Sequence, residues 1–293
     1  MKALVIGATG LLGQAIVRVG CVRGIEIVEM ARSSTEWLVD VTESDQLLKS
    51  IEAIRPDVVV NCAAIVNLAE CEREPGMAYQ VNARPASIIA EASKRIGFIP
   101  VYISTDHYYQ GDGNGAVAHD EHAPITLLNE YARTKYVGEA FTSLVSNGLV
   151  LRTNIVGHRG RKNAPTFAEW AISALIQREQ LTLFDDVYTS SIHVDAFASA
   201  MFDLVQKEAA GVYNLASSEV SSKQAFMLML AEQMGIDLDW ATTGSGKSLK
   251  PLRADSMGLA IGKAEALLGY RLPGLAETVS KLVEEWRNSK PAQ

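Results

Sequence analysis

The chain has 293 residues, 48% hydrophobic and 21% charged, with a formal net charge of −7, enough to bury a large core in an ordinary globular protein. It has no long basic block, which argues against non-specific binding to nucleic acid or to an anionic membrane surface, and no apolar run approaches the roughly 18 residues of a membrane span. Its three cysteines, Cys21, Cys62 and Cys71, lack CxxC spacing, which argues against a disulfide framework or a zinc site and for a reducing cytoplasm.

The first thirteen residues carry the strongest local signal. Leu4, Val5 and Ile6 form a short apolar run, followed by Gly7-Ala8-Thr9-Gly10-Leu11-Leu12-Gly13 and a helical pattern from Gln14 onward. A strand, a glycine turn and a helix in that order place backbone N–H groups at a helix N-terminus, a site suited to a dinucleotide pyrophosphate. Gly7 allows the tight turn, Gly10 the close approach of phosphate, and Gly13 the packing of helix on strand. The same pattern also occurs in tight strand–helix turns that hold no ligand. No basic segment followed by an apolar one opens the sequence, so no signal peptide is expected.

A helix is expected from about Leu11 to Arg23, then a strand from Ile25 to Met30. That strand leads into Ala31-Arg32-Ser33-Ser34. A basic residue with hydroxyls suits a 2′-phosphate, so NADPH is favoured and NADH stays possible. Glu29 would instead meet ribose hydroxyls if the strand register were shifted by two. Asp40-Val41-Thr42 precedes a helix from about Glu43 to Arg55, whose Leu47, Leu48, Ile51 and Ile54 share one face. Val58 to Val60 reads as a buried strand, and Asn61-Cys62-Ala63-Ala64 ends it with small residues that let backbone approach a flat cofactor or simply pack closely. Pro75 to Gly97 reads as one long helix containing the polar Asn82.

Ile99 to Ile103 is the next strand, with Ser104-Thr105-Asp106 past its carboxyl end, where open parallel sheets gather ligands. His107, Tyr108, Tyr109, Gly111, Gly113 and Gly115 read as a loop with an aromatic lining. Tyr131 and Lys135 then stand four apart, on one face of a helix. An ammonium near a phenol stabilises phenolate, so such a pair can exchange a proton with a carbonyl or alcohol, with Thr105 as a third donor. A YxxxK pair alone is common on amphipathic helices; its joint occurrence with the glycine turn and the Ser-Thr pair is specific.

With these motifs in place, the chain resembles the extended short-chain dehydrogenase/reductases, and within them the dTDP-4-dehydrorhamnose reductase family of sugar-nucleotide 4-keto reductases. The matching segments are Gly7–Gly13, Pro56–Ala64, Val81-Asn82, Ser104–Asp106, Tyr131–Glu139, Leu151–Thr153, Gly211–Leu215 and Pro251–Arg253. The resemblance implies an α/β fold, a Rossmann-type doubly wound parallel sheet with a smaller α/β substrate lobe. It implies that Thr105 polarises the keto oxygen, Tyr131 donates the proton, and Lys135 lowers the tyrosine pKa and binds the nicotinamide ribose; hydride comes from the nicotinamide. The cofactor set is then Gly7, Thr9, Gly10, Leu11, Leu12, Gly13, Arg32, Ser33, Asp40, Val41, Cys62, Ala63, Ala64, Asn82, Tyr131 and Lys135. The substrate set is Thr105, Asp106, His107, Asn154 and Arg253. Two stretches depart from the family pattern: Ala63-Ala64-Ile65-Val66-Asn67-Leu68-Ala69 replaces Ala-Ala-Tyr-Thr-x-Val-Asp, and Asp106-His107-Tyr108-Tyr109-Gln110-Gly111 replaces Asp-Tyr-Val-Phe-Asp-Gly. Both would lie beside the sugar.

In the second half, Leu149 to Val156 reads as one strand, Thr166 to Glu179 as a helix and Leu181 to Phe184 as a short strand. Ser190 to Asp195 resembles the segment that returns the chain to the nucleotide domain, followed by a helix from about Ala196 to Lys207 and a strand at Gly211 to Leu215. The expected division is a dinucleotide-binding domain of residues 1–156, with 190–216 returning to it, and 157–293 mainly a substrate-binding lobe. Under the resemblance Arg253 and Arg152 are candidate phosphate donors, the reading without it being a surface salt bridge in an acidic protein, while His193 is expected to be a satisfied structural histidine. Gly244-Ser-Gly246-Lys247-Ser248 imitates the end of a phosphate loop, but Ala241 stands where its first glycine belongs, and Pro251 discourages the helix that should follow. Leu275 to Trp286 is an amphipathic helix.

The expected activity is NADPH-dependent reduction of the 4-keto group of a nucleotide-linked deoxysugar. The alternatives are another enzyme of the superfamily, such as an epimerase, or a non-catalytic subunit like the methionine adenosyltransferase regulatory beta subunit, which is similar to these reductases. No metal is expected, and a homodimer is possible.

Overall fold

The computed structural model describes residues 1–111, 116–161 and 163–289. In chain order the first half comprises β1 (Lys2–Ile6), α1 (Leu11–Val22), β2 (Glu26–Ala31), β3 (Trp37–Leu38), α2 (Ser44–Ile54), β4 (Val58–Asn61), α3 (Leu68–Arg73), α4 (Pro75–Asn82), α5 (Arg84–Ile96), β5 (Ile99–Ile103), β6 (Ala118–His119), α6 (Glu130–Thr142) and β7 (Leu149–Arg152). The second half comprises β8 (Asn154–Val156), α7 (Phe167–Gln177), β9 (Thr182–Phe184), β10 (Tyr188–Thr189), β11 (Ser191–His193), α8 (Val194–Gln206), β12 (Gly211–Asn214), β13 (Ser221–Ser222), α9 (Lys223–Met234), β14 (Thr242–Gly244), β15 (Ser256–Leu259), α10 (Gly262–Leu268) and α11 (Leu275–Ser289).

Seven strands form one parallel sheet in the order β3-β2-β1-β4-β5-β7-β12. The order reverses between β1 and β4, and such a switch point opens a crevice at the strand carboxyl ends. The strands are apolar because helices cover both faces. On one face α1, α8 and α10 bury Val5, Ile16, Phe197, Phe202 and Leu268 together. On the other, α2 and α5 bury Leu4, Ile6, Leu47, Ile51 and Ile89. A second core joins α7, α9 and α11 through Leu175, Phe226, Leu230, Val279 and Leu282. Helix α10 and Leu272, which follow β15, pack with the first core, so the chain crosses back once more after residue 216.

Two expected elements differ, and two short ones were not expected. The long helix expected over Pro75 to Gly97 is two helices, broken at Ala83. Pro85 is the cause, since its ring cannot donate to Val81 and clashes with that carbonyl in a continuous helix. The Asn82 carbonyl instead accepts from the Tyr102 hydroxyl at 2.8 Å. The single strand expected over Leu149 to Val156 divides at Thr153, because β7 pairs in the central sheet and β8 pairs with β11 outside it. Helix α3 and strand β3 carry too short a periodic signal to be read from sequence. None of the described helices is long and apolar enough to cross a membrane.

Candidate active site

The glycine turn leaves β1 at the switch point. Gly7 has φ +79°, and a Cβ there would come within 2.9 Å of the Ala63 backbone nitrogen. A Cβ on Gly13 would fall 2.2 Å from the Gly7 carbonyl oxygen. The glycines therefore let three pieces of backbone converge: the end of β1, the end of β4 and the start of α1. The Gly7 N–H donates to the Met30 carbonyl at 2.8 Å, fixing the tip of β2 beside the turn. Gly10 caps α1 without a side chain, leaving the amides of the first turn free of side-chain acceptors. This cradle, continued by the half-buried Cys62, Ala63 and Ala64, fits a dinucleotide.

Arg32 and Ser33 are exposed just past β2. Glu29 pairs in register with Val5, inside the strand and short of its tip, so the register shift that would have made it the ribose ligand does not occur. Asp40 accepts from the Thr42 N–H at 2.9 Å and the Thr42 hydroxyl at 2.8 Å. Those bonds, with a smaller contribution from Arg32, hold its carboxyl below the usual range. Val41 and Leu12 are buried in the two sheet cores, so only their backbones are available to a ligand. Asn61 Nδ2 is buried without a partner among the described residues.

Asn82 requires a correction. Its side chain is fully buried, and its oxygen accepts from the Ile65 N–H at 2.7 Å. Its amide nitrogen donates to the Ile65 carbonyl and to the Thr134 hydroxyl, both at 3.0 Å. Asn82 is thus fully used in pinning the loop after β4 to α4 and α6, and it has no donor left for a cofactor.

Helix α6 presents Tyr131 and Lys135. It starts at Asn129, whose side chain accepts from the Ala132 N–H at 2.9 Å as an N-cap. Tyr131 is buried, with the Thr105 side chain near enough to act on its phenol. Burial pushes the Tyr131 phenol up, Thr105 draws it back, and the Asp106 charge pushes it further up. Its ring meets His107 edge-on at 5.6 Å. Lys135 is buried too, with its ammonium 4.3 Å from the centre of the Tyr102 ring. Burial brings its pKa down to about 8 against the opposing pull of Glu139 and Cys62. The Cys62 thiol is pushed up to about 12 by burial. The two side chains share a helix face, Tyr131 beside Thr105 and Lys135 over the Tyr102 ring.

Asp106 lies behind this pair and is 1% exposed. Burial raises its carboxyl, offset by His107 and by Asn154, whose Nδ2 donates to it at 2.7 Å. Asn154 is in turn oriented by the Ser191 hydroxyl at 2.8 Å. His107 is driven toward the neutral form by burial, and its Nδ1 is buried without a partner among the described residues. In front of them opens a cleft of roughly 910 Å³ between the sheet edge and the second core. His107, Asn154 and Arg253 line it, as expected of substrate residues, together with Lys223, Phe167 and Met257. Asp106 reaches it only through Asn154 and His107.

Two further expectations are corrected. Tyr108 and Tyr109 are at most 1% exposed and belong to the first core, so they do not line the loop; Gly113 and Gly115 lie outside the described residues. Arg152 is not a phosphate donor. It is buried, its Nη2 and Nε bind the Glu139 carboxylate at 2.8 and 3.0 Å, and its Nη1 donates to the Tyr109 hydroxyl. The Ser104 hydroxyl also donates to Glu139, at 2.5 Å. Glu139 thus ties α6 to β7 and to the residue before Thr105. Sequence reasoning quoted Glu139 without a role, although it stands four residues after Lys135 on the same helix face. Tyr102 and Lys223 were missed because one is an ordinary strand residue and the other is brought in from a distant helix.

His193 is structural as expected: its Nε2 is 3.1 Å from the Glu285 carboxylate, and its Nδ1 accepts from the Asp195 N–H at 3.2 Å. In the phosphate-loop imitation, Asp186 already accepts from the Gly246 N–H at 2.8 Å, so an acid of the chain itself occupies the anion position.

The chain is similar to several known proteins. Probable low-salt glycan biosynthesis reductase Agl14 of Haloferax volcanii is 30% identical over 249 residues, 81% of each chain. The dTDP-4-dehydrorhamnose reductase of Escherichia coli strain K12 is 28% identical over 240 residues, 80% of this chain and 78% of that one. The crystal structure of dTDP-4-dehydrorhamnose reductase from Bacillus anthracis in complex with NADP superposes with a TM-score of 0.86 at 24% identity, covering 97% of this chain and 99% of that one. The RmlD substrate binding domain family matches residues 1–287, and the chain belongs to that family.

Proposed function

We propose that the protein uses NADPH to reduce the 4-keto group of a nucleotide-linked deoxysugar. The observation that carries this reading is the placing of Tyr131 and Thr105 beside His107, whose ring lines a cleft large enough for a sugar nucleotide. When bound, the nicotinamide supplies the hydride that no side chain can. The chain's own residues do the rest. Thr105 donates to the keto oxygen and polarises it. Tyr131, kept protonated by burial, gives its proton to that oxygen as the alcohol forms. Lys135 offers a cation to the ribose hydroxyls. The cradle from Gly7 to Gly13, with Ala63 and Ala64, holds the dinucleotide, and Arg32 and Ser33 receive the 2′-phosphate. His107, Asn154 and Arg253 meet the substrate from the cleft, and the lobe of residues 157–189 and 217–293 contributes most of its wall. Three free cysteines suit a cytoplasmic setting.

The test is NADPH oxidation with a panel of dTDP-, GDP-, UDP- and CDP-linked 4-keto sugars. Turnover with one nucleotide, lost in Tyr131→Phe by about 10²–10⁴-fold while NADPH still binds, is the expected result. Full turnover in Tyr131→Phe would overturn the mechanism, and silence across the panel would overturn the substrate class.

A further inference from the structure

The second lobe reaches over the glycine cradle with one side chain. After β8 the chain runs from Gly157 to Arg161 and packs onto the start of α1. A Cβ on Gly157 would lie 2.5 Å from Val194 Cγ2 and 3.3 Å from Leu11 Cδ1. Arg161 then donates from Nη2 to the Thr9 carbonyl at 2.9 Å, across 152 positions of sequence. Glu169 builds the loop: its Oε1 accepts from the Arg159 N–H at 2.9 Å and the Gly160 N–H at 2.5 Å, and its Oε2 from the Thr166 N–H at 2.7 Å. Gly160 sits at φ +79°, a conformation other residues rarely adopt. The arginine is therefore delivered by a preorganised loop.

Only one of the five N–H groups of its guanidinium is spent on Thr9. Among the described residues no carboxylate pairs with Arg161. The cradle has no cation of its own. Residues 7–17 contain no Lys or Arg, and Arg18, the next basic residue, is paired with Asp195. Among the cofactor residues assigned above, Arg32 and Lys135 alone are basic, one at the 2′-phosphate end and one on α6. A local cation adds a charge-assisted bond to what the helix amides offer a pyrophosphate. We propose that Arg161 is the pyrophosphate-binding arginine, a clamp from the substrate lobe that closes over the dinucleotide. This rests on the cofactor reading above.

The experiment is titration of the purified full chain with NADPH, NADH and adenosine 2′-monophosphate, read by nicotinamide and tryptophan fluorescence and by calorimetry. Arg161→Ala should weaken NADPH and NADH by the same factor, about tenfold or more for a lost charge-assisted bond. It should leave adenosine 2′-monophosphate unchanged, since that probe has no pyrophosphate, and Arg161→Lys should recover part of the loss. Arg32→Ala should weaken NADPH and adenosine 2′-monophosphate but not NADH. NADPH binding unaltered in Arg161→Ala would overturn the clamp and leave the cofactor reading standing, as would equal losses for all three probes. Failure of the wild-type protein to bind either dinucleotide would overturn both.

Discussion

Tyr131 is held as a neutral phenol by its burial, and Thr105 is the group that tempers this. The state suits the reductive direction, in which tyrosine must begin with a proton to give. Lys135 tells a complementary story. Its pKa has come down to about 8 because burial disfavours the ammonium. Below that pH it is a cation, available to an anionic cofactor under the proposed function; above it the charge is lost. NADPH affinity should therefore fall as pH rises through about 8, and Lys135→Met should bind more weakly but without that alkaline limb. A direct titration of affinity between pH 6.5 and 9.5 checks this, and an unchanged limb in the variant would assign it elsewhere.

At the scale of elements, the site depends on how α6 is tied to the sheet. The Glu139–Arg152 pair spans α6 and β7, with both side chains nearly excluded from water. Removing one partner strands the other as a buried charge, a loss of about 3–5 kcal/mol in comparable cases. Glu139→Ala should accordingly lower the urea midpoint far more than a surface substitution, and it should also disturb Ser104, which donates to the same carboxylate. Asn82 ties α4 to the loop after β4 in the same way. Asn82→Ala leaves the Ile65 amide without its acceptor and the Ile65 carbonyl with only the weak Cys71 thiol donor, at a cost of about 1–3 kcal/mol for the unsatisfied amide. Because Ala63 and Ala64 sit on that loop, NADPH affinity should fall along with the melting temperature. A variant that melts early but binds NADPH normally would separate the two roles.

For the molecule as a whole, the cleft exists only if the two cores stay in register. Helix α11 contributes by packing on α9 and β11 and by placing Glu285 against His193 at the start of α8. Burial raises the Glu285 carboxyl, but the hydrogen bond and charge of His193 outweigh it and the net shift is downward. A carboxylate lowered on folding stabilises the protein fully above its ordinary value near 4.5 and loses that contribution as pH falls through the lower folded value. Glu285→Gln should therefore cost stability at neutral pH, with the gap to the wild type closing below about pH 4. Melting curves from pH 7 to 3 measure it; parallel curves would show that the pair contributes nothing.

The local signals were legible because they are short-range. Gly7 to Gly13 encodes a strand–turn–helix through φ freedom and close packing, and Tyr131 and Lys135 are on one helix face by periodicity alone. The family resemblance carried by these motifs implied the doubly wound parallel sheet. What sequence could not settle were questions of partnership. Asn82 is polar among apolar neighbours whether it meets a cofactor or the Ile65 backbone, and Arg152 reads as a phosphate donor until Glu139 is found against it. Lys135 lies over the ring of Tyr102, a strand residue with no motif of its own. The reach of Arg161 to Thr9 joins residues whose separation carries no periodic trace. Burial and hydrogen-bond pairing are set by residues far apart in the chain, so only the tertiary structure decided which polar side chains hold the fold and which remain free to meet a ligand.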